Sequence, residues 1–113
     1  MKHSTGTPTR AEKVRMDAMK ELGQCVAGYQ RGIHGRGYIE IHHLLSGNRR
    51  IGHLASVSLC SYHHRSVLPE GMTRAEAEEV FGPSLANGSK PFRAEFGSDK
   101  ELLALQAALL GEG

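Results

Sequence analysis

Between Ile39 and Arg65 the chain reads IEIHHLLSGNRRIGHLASVSLCSYHHR, a stretch holding five of its seven histidines and one of its two cysteines. Each imidazole wants partners for two polar ring nitrogens, so this density is costly in a small domain unless the rings share a task. The histidines come as adjacent pairs, His42-His43 and His63-His64, and Cys60 stands three residues before His63. Thiolate and imidazole at Cys-x-x-His spacing suit zinc, whereas imidazoles beside oxygen ligands suit a more open, catalytic metal. The stretch reads as metal-binding, with two kinds of centre.

Local patterning places these residues. From Tyr38 to Leu44, the set Ile39, Ile41, His43 alternates with Tyr38, Glu40, His42, as on a strand. Ser46 to Gly52 reads as a polar loop, with Gly47-Asn48 as its turn and Arg49-Arg50 following. Ala55 to Leu59 is a second, shorter strand, and from Cys60 the chain enters a short helix through His63-His64-Arg65. Neighbours on a regular strand face opposite ways, so His42 and His43 serve one site only where the strand bends or ends. Leu44-Leu45-Ser46-Gly47 permits that. Neighbours on a helix diverge by about 100°. His63 therefore shares a side with Cys60, and His64 looks away, toward the histidines of the first strand.

The flanks are helical. Residues 1–8 form a polar tail, and Thr9 to Glu12 is a capping box opening a helix that Gly23 stops. Val14, Ala18, Met19 and Leu22 make its apolar face, with Lys and Arg on a solvated side. Cys25 to Arg36 carries three glycines and reads as a turn-rich knuckle. A second box, Thr73 to Glu76, starts a helix ending at Gly82-Pro83; Pro91 to Phe96 is a short helical turn closed by Gly97. Ser98 to Glu101 opens a last helix whose Leu102, Leu105 and Leu109, with Leu103 and Leu110, form a core-facing stripe.

At 113 residues with 5% aromatics and no Trp, a single domain has a shallow core, and a structural metal is a standard supplement. The net charge of +2 hides an asymmetry. Cys25 to Arg65 carries five Arg against one Glu, and Ser66 to Gly113 four basic against eight acidic residues. The basic segment is the histidine-rich one, the footprint of phosphate handling. MKHSTGTPTR has no apolar run to serve as a secretion signal and no stretch could span a membrane, so reduced thiols in cytoplasm are expected.

The motifs IHHLLSGNRRIGH, LCSYHHR and GPSLANGSKPFRAEFGSDKELL, with the Cys25 knuckle, resemble the HNH nucleases of ββα-metal fold, and within them the phage recombination-enhancement, RecA-dependent nucleases. The resemblance covers roughly Cys25 to Leu103. It implies an α+β fold: a ββα-metal core with a zinc knuckle, flanked by N- and C-terminal helices. Residues 1–9 are then a disordered tail and residues 10–113 one nuclease domain, with its core at 25–66 and a helical extension at 73–111.

By that resemblance His42 is a catalytic-metal ligand, His43 the general base and His64 the second ligand, while Cys25, Cys60 and His63 hold structural zinc. Two departures stand out. Upstream the family has Cys-x-x-Cys, but here the chain reads Cys25-Val26-Ala27-Gly28, leaving His34 as either fourth ligand or exposed loop residue. The HNH asparagine is also missing: Ala55 stands about there, with His53 before it as a polar substitute that braces the loop or touches metal.

The implied activity is metal-dependent hydrolysis of DNA phosphodiesters with Mg, Mn or Zn, and weak sequence preference. Arg49, Arg50 and Arg65 are candidates to hold the backbone. A RecA-type filament in a phage-infected bacterial host is the partner the family implies. The alternative is a non-catalytic, zinc-stabilised DNA-binding or recombination-accessory module.

Overall fold

The computed structural model describes residues 7–34, 37–46, 49–50 and 55–111, with the backbone alone at 45–46 and 49–50. Most of the polar tail, the Gly47-Asn48 turn and His53 lie outside the described residues. Helix α1 (Arg10–Leu22) starts at the expected capping box: Thr9 Oγ1 accepts from the Glu12 amide, and the Glu12 carboxylate accepts from the Thr9 amide. Gly23 ends it in a left-handed conformation, φ 62°. Its buried face is rotated from the expected one. Val14 is 61% exposed and Ala18 is exposed, whereas Met19 is fully buried and Arg15 half-buried. Arg15, expected among the solvated cations, turns inward because the strand at Ser56–Leu59 offers it acceptors: its Nη1 donates to the Ser56 carbonyl at 3.2 Å and lies 3.0 Å from Ser56 Oγ.

The expected knuckle contains a short helix, α2 (Val26–Gln30), capped by Cys25. Strand β1 (Glu40–His43) pairs antiparallel with β4 (Ser56–Leu59), from Glu40↔Leu59 to His43↔Ser56. Between them the expected polar loop is partly a ladder, β2 (Leu45–Ser46) against β3 (Arg49–Arg50). An excursion joining two antiparallel strands runs back alongside itself, so pairing persists nearer to its tip than polarity suggests. Helix α3 (Ser61–Arg65) follows β4 directly, completing the ββα unit.

All of β4 is buried. Val57 and Leu59 pack with Val26, Ala27, Phe92, Phe96 and Leu102 in the core. Helix α4 (Arg74–Phe81) opens with the Thr73–Glu76 box, and α6 (Asp99–Leu110) with the Ser98–Glu101 box. Helix α5 (Ser89–Phe96) begins two residues before Pro91, because a first-turn proline lacks only an amide that has no helical partner anyway. The leucine stripe of α6 contains fully buried Gln106, whose Oε1 accepts from the Ser58 amide at 2.7 Å.

The end of α4 clamps α3. The Phe81 carbonyl lies 2.8 Å from His63 Nε2, and the Gly82 carbonyl accepts from Tyr62 Oη at 2.7 Å. Gly82 holds that bend at φ +84°, and a Cβ there would meet the Phe96 ring at 3.0 Å. Gly82→Ala is therefore expected to cost about 1–3 kcal/mol, the scale of a strained non-glycine backbone. Urea unfolding would read this; an unchanged midpoint would mean the clamp tolerates a side chain.

Candidate metal centres

Cys25 and Cys60 cap α2 and α3, and each sulfur receives a backbone amide, from Gly28 at 3.3 Å and from His63 at 3.4 Å. Because both helices start at the same end of β4, the sulfurs converge on one ring. His63 Nδ1 lies 3.4 Å from Cys25 Sγ and 3.2 Å from Cys60 Sγ. Among the described residues, these three form a set able to hold a metal ion. The spacing fits: a tetrahedral ion with Zn–S near 2.3 Å and Zn–N near 2.0 Å needs ligand edges of about 3.5 Å. The tautomer fits as well. With Nε2–H donated to the Phe81 carbonyl, Nδ1 presents its lone pair to the sulfurs, the outer-shell arrangement usual for metal-binding histidine. The bond to Cys60, then burial, pushes the Cys25 thiol up, while the bond from Cys25 and the backbone amide of His63 pull Cys60 below the ordinary thiol value. A divalent cation displaces thiol protons when it binds.

The second cluster lies where β1 meets α3. Glu40 and His42 share a strand face. Glu40 Oε1 lies 2.7 Å from His64 Nδ1, and the His42 and His64 rings stand edge to face at 5.3 Å. Adjacent positions on α3 thus address different centres, His63 the thiolates and His64 the strand. Glu40 also accepts from Arg65 Nε at 2.9 and 3.1 Å. The β1–β4 ladder ends at His43, which is half-buried; beyond Leu44 the chain pairs with β3 instead.

The family model for recombination enhancement, RecA-dependent nuclease matches residues 8–111. The chain belongs to that family. A comparison with curated proteins found no match. The family match and the ββα core beside the thiolate cluster agree on an HNH-type nuclease.

His34 stands outside the thiolate cluster: it is exposed, stacks on Tyr29 at 4.3 Å, and its Nε2 lies 3.2 Å from the Tyr29 carbonyl. Arg65 is engaged by Glu40, although its side chain is 58% exposed. His53 lies outside the described residues, and of Arg49 and Arg50 only the backbone is described. Three groups near His42 carried no sequence signal of a role. Glu40 is one. The others are Asp99 and Arg93, an ion pair at 3.4 Å whose charges both reach His42. They come from GSDKE and FRAEF, motifs that resemble the family without obvious chemistry of their own. Among the described residues, no helix is long and apolar enough to cross a membrane.

Electrostatics here predicts acid sensitivity. Burial, then the charge of His64, drives His42 down from 6.5 to about 4. Below pH 6.5 the unfolded chain takes a proton that the fold refuses, so stability falls from there to about pH 4. The Arg65 hydrogen bond, then that of His64, holds Glu40 at about 2 against an ordinary 4.5. Its stabilisation is present above pH 4.5 and is lost as pH falls toward 2. Melting of metal-free protein in EDTA is expected to weaken in two successive stages on acidification. His42→Ala should remove the upper one.

Proposed function

We propose that the protein is a metal-dependent DNA endonuclease in which His42 and His64 hold the catalytic ion and His43 is the general base. The observation that carries this is the Glu40–His64–His42 array on the ββα unit of a RecA-dependent nuclease family member. Glu40 is ionised and only accepts, so the His64 Nδ1 facing it carries a hydrogen and Nε2 is the nitrogen left to bind metal. His42, kept neutral down to about pH 4, offers its lone pair without competition from protons. A divalent ion bound there supplies Lewis-acid stabilisation of the charge on the scissile phosphate.

His43 follows His42 at the break of the strand and removes the proton of the attacking water, a task to which imidazole is suited. Arg49, Arg50 and Arg65 steer the DNA backbone. Backbone contacts without base contacts give weak sequence preference. Zinc occupies the thiolate centre as a structural ion. Membership of a RecA-dependent nuclease family supports a RecA filament as partner; we place the protein in a bacterial cytoplasm, with a phage or prophage origin.

Purified protein should nick supercoiled plasmid or single-stranded circles in Mg²⁺ or Mn²⁺, and EDTA should stop it. Absence of cutting under every condition, with and without a RecA filament, would leave the zinc-stabilised DNA-binding module instead. Glu40→Gln is expected to lower metal affinity or cleavage about 10–100-fold, as loss of an outer-shell carboxylate does. Part of that loss should be recovered at higher Mn²⁺.

A further inference from the structure

Among the described residues, the thiolate centre is one donor short. Three residues after Cys25, where a second cysteine would complete Cys-x-x-Cys, stands Gly28. Nothing has closed over the missing side chain. A Cβ at Gly28 would lie 3.6 Å from Cys25 Cβ and 3.8 Å from Cys25 Sγ, ordinary contact distances. A cavity of about 220 Å³ opens there instead, with Cys25, Gly28, Cys60 and His63 in its wall. His34 lines the same cavity, but its ring is stacked on Tyr29 and its Nε2 is turned to the Tyr29 carbonyl. Among the described residues, no fourth Cys, His or carboxylate joins the cluster.

We propose that the ion held by Cys25, Cys60 and His63 keeps a fourth position open to this cavity and accepts there a small neutral nitrogen donor of imidazole type from solution. Closed structural sites use four protein ligands, whereas three-ligand sites keep an exchangeable position. Two thiolates already neutralise a divalent cation, so an anionic fourth ligand would leave net negative charge against Ile33, Ile39 and Phe81 in the cavity wall. A neutral nitrogen donor avoids that cost and suits a borderline-soft centre. The inference is independent of the nuclease reading, because it concerns the cysteine centre alone.

Cobalt(II) loaded into the untagged protein tests it. The near-ultraviolet sulfur-to-cobalt band arises from the cysteine centre and not from His42 and His64. Imidazole is expected to shift the visible cobalt bands saturably while the sulfur band persists, and His34→Ala should show the same resting spectrum and the same shift. Gly28→Cys should raise the sulfur band by about half, three thiolates replacing two, and abolish the response to imidazole. A wild-type spectrum indifferent to imidazole, or no sulfur band at all, overturns the proposal. A resting spectrum altered by His34→Ala also overturns it, making His34 the fourth ligand. Should Gly28→Cys fail to fold, the wild-type and His34→Ala titrations still decide.

Discussion

Replacing His43 with alanine is expected to slow DNA cleavage about 10²–10⁴-fold, the range that a positioned general base contributes. Folding and DNA binding should survive. His43 stands at the end of the β1–β4 ladder, half-buried, and the core proper is built from Val57, Leu59, Phe92, Phe96 and Leu102. On the proposed assignment, the change leaves Arg49, Arg50, Arg65 and the His42–His64 pair in place, so the defect belongs in the cleavage rate. Single-turnover cutting in Mn²⁺, alongside fluorescence-anisotropy binding and circular dichroism, separates these effects. Cutting at the wild-type rate would remove His43 as the base.

Stripping the thiolate centre should have the largest effect on the fold. His63 is 1% exposed and sits at a junction. Its Nδ1 meets both sulfurs, its Nε2 the Phe81 carbonyl, and its ring the edges of Tyr62 at 5.1 Å and Phe96 at 5.2 Å. Through it α2, α3 and α4 are tied at one point. Chelation or His63→Ala is therefore expected to cost on the order of 3–5 kcal/mol, the scale at which metal loss stands out among single changes. Urea unfolding with and without chelator reads it directly. Superimposable curves would mean that the centre holds no structural ion.

What the sequence revealed was mostly local. The three capping boxes are fixed by groups three residues apart, and each forms as written. Cys60-x-x-His63 is likewise a one-turn relation, and the opposed directions of His63 and His64 follow from helix geometry. The contacts that escaped join distant positions. Glu40 looks like an ordinary strand carboxylate until α3, 24 residues later, brings His64 to it. Arg15 looks solvated on a helix wheel, and only the buried polar rim of β4 at Ser56 explains its inward turn. Gln106 interrupts a leucine stripe because Ser58 on β4 needs an acceptor. The buried face of α1 departs from its apolar stripe for the same reason: periodicity gives a stripe, but the partner's chemistry sets its rotation.

The most direct measurement takes zinc content and plasmid nicking from the same preparations of wild type and His64→Ala. Two separate centres, one structural and one catalytic, predict unchanged zinc near one equivalent and loss of metal-dependent nicking in the variant. Nicking that persists in His64→Ala, or zinc that disappears together with it, would contradict that division.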